Sequence, residues 1–232
     1  IGLGLIGLIS VQILKANGCN VLGIDTDQKK CDLAKSFGIE TLCATSESDS
    51  ISYALNFSGG IGIDGVLITA STSSNEVIHQ AAMMSRKRGR IVLVGVVGLD
   101  IVRDDFYEKE LTFQVSSSYG PGRYDSNYEK KGIDYPVGFV RWTEQRNFVA
   151  ILNMMKNCQL DLKPMITNSF MFEEAIDAYN LLDDSNSLGI LLNYKQDISL
   201  KTTPSSIISL KESPKNIDSS TGDLNIGFIG AG

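Results

Sequence analysis

One histidine, one tryptophan and five prolines among 232 residues remove several kinds of chemistry from consideration. A site needing two imidazoles cannot be built, and His79, on an expected helix rather than at a strand end, reads as a surface or packing residue. The four cysteines (Cys19, Cys31, Cys43 and Cys158) form no C-x-x-C pair, so neither a zinc ribbon nor a thioredoxin-like site is signalled. Cys19 and Cys43 sit in apolar stretches and are expected to be small core residues. That usage fits a reduced, cytoplasmic chain. Basic residues are outnumbered 21 to 27, giving a formal charge of -6, which argues against general nucleic-acid binding. No apolar run approaches the roughly 18 residues of a membrane span, and no membrane partner is expected. At 43% hydrophobic and 21% charged, what remains is an ordinary globular composition.

The densest signal is Ile1-Gly2-Leu3-Gly4-Leu5-Ile6-Gly7, which fits G-x-G-x-x-G. In a strand–turn–helix, Gly2 makes the tight turn, Gly4 clears space for a dinucleotide pyrophosphate, and Gly7 lets the helix approach the sheet. Leu5 and Ile6 belong to the same site, because the first amides of the helix and its dipole favour negative charge. Leu8, Val11 and Leu14 recur at helical spacing, and Gly18 is a natural stop. Residues 19–24 then read as a buried strand ending at Asp25, 23 positions after Gly2 and close to the spacing of about 20 expected for a ribose-binding acid. Asp25 also reads as a helix cap, since residues 28–37 look helical. Lys30, one turn into that helix, reads either as a second ribose contact or as a solvated lysine. Thr26 supplies no arginine for a 2′-phosphate. Against Asp25 such a phosphate meets a repulsion of about 2 kcal/mol at ~4 Å even in water, so the expected cofactor is NAD.

The alternation continues with strand 39–44, helix 49–57, strand 65–69, helix 75–84 and strand 90–94. Strands alternating with helices imply a doubly wound parallel α/β sheet. Ligands bind at the carboxyl ends of such strands, so Asp25, Thr69-Ala70-Ser71 and Gly95-Val96-Val97 are expected on one edge. Helices over 143–156 and 172–182 and a strand over 187–194 follow. Phe148, Ile151, Leu152 and Met155 form one apolar stripe, and Ala175, Ile176 and Tyr179 another.

With these parts in order, the chain resembles the cofactor domain of zinc-type medium-chain alcohol dehydrogenases, a Rossmann domain. The residues that carry the resemblance are the glycine turn, Gly23-Ile24-Asp25 with Lys30, Leu67 to Ser71, and Ile91 to Gly95. It implies that Asp25 and Lys30 hold the adenosine ribose, and that Thr69 to Ser71 and Gly95 to Val97 line the nicotinamide half. The stretches 106–112 and 116–125, with Tyr135-Pro136-Val137-Gly138 and Arg141-Trp142-Thr143-Glu144, look like bacterial bi-domain oxidoreductases that join such a dehydrogenase to a Gfo/Idh/MocA-type domain. The resemblance implies an NAD-dependent oxidoreductase moving hydride to or from an alcohol or sugar-derived small molecule. A regulatory NAD-binding module and a zinc-independent quinone-reductase-like enzyme are the alternatives. Catalytic residues and any zinc would lie in a catalytic domain outside this sequence, and no residue here is assigned as a zinc ligand.

The expected organisation is a Rossmann domain over 1–195, incomplete at its first strand, a linker over 196–223 rich in Ser, Thr, Lys and Asp, and the start of a second such domain over 224–232. On this reading the chain is part of a longer protein, inactive alone, and weakened by its short first strand unless residues 224–229 fill that place. The stretch from Tyr119 to Arg146 is long for a loop in a compact domain and holds four tyrosines, Trp142, Arg123, Arg141 and Arg146. Aromatic faces and arginines suit sugars with acidic groups. A covering loop, or a subunit contact in a homo-oligomer, is the plainer reading.

Overall fold

The computed structural model describes residues 1–182, 184 and 186–195. Contacts divide the chain into Ile1–Asn193 and Tyr194–Gly232, and the fold below is that of the first unit. The expected linker, the second glycine turn and the slot-filling segment 224–229 lie outside the described residues.

The elements alternate as α1 (Leu5–Ala16), β1 (Leu22–Asp25), α2 (Gln28–Ser36), β2 (Glu40–Cys43), α3 (Ser50–Phe57), β3 (Ile63–Ile68), α4 (Glu76–Met84), β4 (Ser85–Leu93), α5 (Arg103–Tyr107) and β5 (Thr112–Val115). β1 pairs with β2, β3 with β4, and β4 with β5, all parallel. Residues 1–3 lie between the two groups. The Ile1 nitrogen donates to Leu67 O (2.7 Å), Thr69 N to Ile1 O (2.8 Å), and Gly2 N to Ile24 O (2.8 Å). The order across the sheet is therefore β2, β1, residues 1–3, β3, β4, β5, a doubly wound α/β arrangement with the strand-order reversal at the glycine turn.

Helices cover both faces. Leu3, Leu8, Val11, Cys31, Ala34 and Ile39 pack on one side with α1 and α2. Ile24, Ala54, Val66, Ile68, Ile78, Ala81, Ile91 and Val97 pack on the other with α3 and α4. Leu42 and Cys43, successive in β2, serve opposite layers, as the two-residue period requires.

The C-terminal portion adds α6 (Ser126–Glu129), α7 (Glu144–Lys156), β6 (Ile166–Met171), α8 (Ala175–Asn180) and β7 (Gly189–Asn193), with β6 parallel to β7. Met165 joins the α1–α2 core, and Gln12 exchanges two hydrogen bonds with the Asp161 backbone, Nε2 to O at 3.0 Å and N to Oε1 at 2.7 Å.

Several expectations need correction. Cys19 is exposed, because Gly18 and Cys19 close the end of α1: Gly18 N bonds Lys15 O and Cys19 N bonds Leu14 O, the two-bond helix stop that glycine permits. The strand begins only at Leu22. The buried cysteine is Cys31, on α2. Leu14 is partly exposed, and Gln12 takes the inward place because its amide finds a backbone partner. β5 and β6 were not foreseen. The helix expected over 172–182 is a 3-10 turn followed by the short α8, and Ile176 and Tyr179 face solvent while Ala178 is buried. Phe148, Leu152 and Met155 of α7 are also exposed.

Candidate functional site

The glycine turn is held from three sides. Gly2 adopts φ +91, the left-handed region that favours glycine, and a Cβ there would meet Ala70 N at 2.6 Å. A Cβ at Gly7 would overlap the Gly2 carbonyl oxygen and approach Thr69 Oγ1 at 2.9 Å, so glycine at residue 7 is what lets α1 sit against the turn. Gly4 differs. It is the N-cap of α1 with φ -65, and nothing lies within 4 Å of a Cβ placed on it. No side chain caps α1 and its first turn carries no acid, whereas Asp27 and Asp49 cap α2 and α3. The first amides of α1 thus keep their donors for a ligand, and the open ground over Gly4 admits one.

Asp25 stands at the end of β1, half-buried. Its Oδ2 accepts from Leu3 N (2.6 Å) and its Oδ1 from Asp27 N (2.9 Å), which ties the glycine turn to the loop leading into α2. Each oxygen retains a second lone pair for a hydroxyl. The helix cap is Asp27, whose side chain accepts from Lys29 N (2.9 Å), so the cap role considered for Asp25 falls two residues later. Lys30 pairs with Asp27 Oδ2 at 3.8 Å, and Thr26 is exposed beside them. The sequence signal for this cap is an acid immediately before a helical stretch.

Thr69, Ala70 and Ser71 extend β3 next to Gly95, Val96 and Val97. Ser71 pairs with Val96 in parallel, Val96 N donates to Ala70 O (3.1 Å), and a Cβ at Gly95 would overlap Ala70 O. The Thr69 hydroxyl turns inward and donates to Gly2 O at 2.6 Å, which makes it a clamp on the glycine turn. Val97 is buried in the core, so only its backbone borders the edge, while Ser71 and Val96 are exposed there. Leu5 and Ile6 present partly exposed side chains at the start of α1.

His79 lies on α4, its Nδ1 2.7 Å from Asp105 Oδ2. That hydrogen bond raises its pKa above the ordinary value. Among the described residues no group of three or more His, Cys, Asp or Glu is placed to hold a metal ion. No described helix is long and apolar enough to cross a membrane.

The segment from Tyr119 to Arg146 organises itself. Tyr119, Tyr128 and Tyr135 stack in a row with centroids 6.3 and 5.8 Å apart. The Tyr119 hydroxyl and Arg123 (2.6 Å) both bond Glu129 Oε1, which holds that carboxyl below its usual pKa, and the Tyr135 hydroxyl bonds Asp125 Oδ2 at 2.5 Å. Arg146 donates to Val140 O (2.5 Å) and Tyr135 O (2.6 Å) and pairs with Asp134 (2.8 Å). Arg123 and Arg146 are therefore engaged within the segment.

Residues 6–133 match the zinc-binding dehydrogenase family, more than half of the chain, and the chain belongs to that family. It is 24% identical over 187 residues to an NAD-dependent alcohol dehydrogenase of Sulfurisphaera tokodaii, covering 80% of this chain and 46% of the relative. It is 28% identical over 199 residues to an S-(hydroxymethyl)glutathione dehydrogenase of Escherichia coli, covering 83% and 48%. Its fold superposes on the 2R,3R-butanediol dehydrogenase of Bacillus subtilis with a TM-score of 0.64 at 21% identity, covering 83% of this chain and 49% of that one. For galactitol-1-phosphate dehydrogenase from Escherichia coli the TM-score is 0.62 at 23% identity, covering 82% and 51%. The chain spans about half the length of the curated relatives it matches.

Proposed function

We propose that this chain is the NAD-binding part of an oxidoreductase that moves hydride between NAD and an alcohol or sugar-derived substrate. The observation that carries the reading is the uncapped start of α1, opened by Gly4 and flanked by Asp25. Family membership and NAD-dependent relatives support it. The amides of Leu5, Ile6 and Gly7 would hold the pyrophosphate, with Gly2 and Gly7 keeping the turn closed behind it. Asp25 would take the ribose hydroxyls on its free lone pairs, and Lys30, with Thr26 exposed nearby, would border the same sugar. Thr69 to Ser71 and Gly95 to Val97 would form the edge toward the nicotinamide. When bound, NAD supplies the hydride acceptor or donor; the residues named here bind and orient it.

Three finer parts belong to the same proposal. The parent protein joins a medium-chain dehydrogenase to a Gfo/Idh/MocA-type domain, supported by the sequence of 106–125 and 135–144; residues 224–232, where that second domain would begin, lie outside the described residues. Its boundaries are 1–195 for the cofactor domain and 196–223 for the linker. It works in a reducing cytoplasm, consistent with four free thiols, and self-association would cover part of its exposed apolar surface.

The test is a calorimetric titration of NAD and NADP into the chain. Repulsion of about 2 kcal/mol between Asp25 and a 2′-phosphate predicts NAD binding more than about tenfold tighter. Tighter NADP binding overturns the assignment of Asp25.

A further inference from the structure

We propose that the cleft beside Arg141 is a second ligand site, which takes the carboxylate or phosphate of a small hydroxylated molecule. The inference does not depend on the cofactor reading. The cleft, about 500 Å³, lies along α7 and is lined by Arg141, Gln145, Val149, Ala150 and Asn153, with the Asp134–Arg146 ion pair completing its wall.

Arg141 is the centre of the argument. Every other arginine of the 119–146 segment has a carboxylate partner within it: Arg123 has Glu129 and Arg146 has Asp134. Among the described residues Arg141 has neither a carboxylate nor a carbonyl partner. Its guanidinium lies over the Trp142 ring at 4.1 Å instead. A guanidinium stacked by its face is oriented, yet its edge donors stay free, and that fork matches a carboxylate or phosphate. With Arg146 adjacent and Asp134 the acid in the lining, the cleft carries a local excess of positive charge on a chain of net charge -6. An anion arriving here gains from both the fork and the local field.

The remaining lining suits the rest of such a molecule. Gln145 and Asn153 present amides without protein partners among the described residues, and Asp134 Oδ1, which accepts from Tyr135 N, has one lone pair left for a hydroxyl donor. Val149 and Ala150 give a short apolar strip against which carbon–hydrogen faces can lie. The walls are fixed beforehand. Arg146 ties the backbone at 135 and 140 to α7, Thr143 at the helix start is fully buried, and Tyr128 accepts from Glu144 N at 3.1 Å. Little ordering is then needed on binding.

Trp142 is the one tryptophan in the sequence, so its fluorescence reports this cleft directly. The probes are glucuronate, glucose 6-phosphate, inorganic phosphate and glucose, titrated into the whole chain with NAD as a parallel titration. The expected result is a saturable change in Trp142 emission with glucuronate or glucose 6-phosphate, a weaker one with phosphate, and none with glucose. The stronger of the first two identifies carboxylate or phosphate as the preferred group. Arg141→Gln should weaken the response by about tenfold or more, the worth of a charge-assisted pair, and leave NAD binding unchanged. Asn153→Leu, which preserves the stacked pair, should weaken the sugar compounds more than phosphate. Absence of a saturable response to any anion overturns the proposal, as does equal affinity in Arg141→Gln. A Trp142 signal that follows protein concentration rather than probe concentration also overturns it, and marks the cleft as a contact between copies of the chain.

Discussion

Replacing Gly4 by alanine separates what the glycine turn does for folding from what it does for binding. Gly4 sits at φ -65, so alanine adopts its conformation without strain, and no atom lies within 4 Å of the added methyl. The remaining penalty is the poorer N-cap propensity of alanine, about 0.5–1 kcal/mol. For a folded unit of this size that lowers the melting temperature by about 2–4 °C at most. Binding should suffer more. The methyl occupies the open ground in front of the first amides of α1, and crowding of one methyl into a close contact costs about 1–3 kcal/mol. NAD affinity should therefore fall about 5- to 150-fold. Calorimetric titration with NAD, paired with a thermal melt followed by circular dichroism, reads both quantities. A Gly4→Ala chain that melts within a few degrees of the parent and binds NAD equally well would refute the reasoning. So would one that unfolds.

Gly7→Ala should do the opposite. The methyl overlaps Gly2 O and crowds Thr69 Oγ1, so a steric cost of about 3 kcal/mol and loss of the Thr69 clamp (about 1 kcal/mol) outweigh a helix-propensity gain of about 1 kcal/mol. A urea midpoint lowered by the equivalent of about 3 kcal/mol is expected. Lys109 donates to Ala82 O (3.0 Å), Met83 O (2.6 Å) and Ser85 O (3.1 Å) at the end of α4, and burial pulls its pKa down. Lys109→Met should cost about 2 kcal/mol in the same assay, as for a charged hydrogen-bond donor; no change would show that water replaces it. His79 is raised by its bond to Asp105, so the stability it contributes is present below its unfolded pKa of about 6.5 and lost as pH rises through the higher folded value. Because the ring is half-exposed, the effect stays under about 1 kcal/mol. The stability gap between the parent and Asp105→Asn should narrow from pH 5.5 to pH 8.5, and a widening gap would contradict the assignment.

The layered α/β arrangement was legible because it depends on local signals: glycine spacing, short apolar runs, and helical spacing stopped at Gly18. The place of Asp25 at the end of β1 was legible for the same reason. What escaped depends on partners distant in sequence. Gln12 is buried only because the Asp161 backbone, 149 residues away, meets its amide. The Thr69 hydroxyl looked available to a ligand, and only the approach of Gly2 shows it turned inward. Val97 at a glycine-flanked strand end looked like a lining residue, yet its side chain belongs to the α3–α4 core. β5 and β6 have half-exposed, polar-interrupted sequences (Thr112-Phe113-Gln114-Val115 and Ile166-Thr167-Asn168-Ser169) whose pairing is fixed by β4 and β7 rather than by their own pattern. The stripes on α7 and α8 showed the opposite failure: their periodicity reads as core, yet Phe148, Leu152, Met155, Ile176 and Tyr179 stand in solvent.

Residues 1–3 act as a splice. The pair β1–β2 and the trio β3–β4–β5 are joined along their length by the bonds from Ile1, Gly2 and Thr69, and at the rim by Leu3 N to Asp25. Opening those few bonds would leave two narrow ribbons where there is now one sheet. The same residues begin the glycine turn proposed to face the phosphates, so a ligand held there would grip the seam itself. Such a ligand stabilises the joined state in proportion to the logarithm of its concentration over its Kd. Amide exchange at Gly2 and Thr69 should slow together as that ligand is added, and the two halves of the sheet should melt as one.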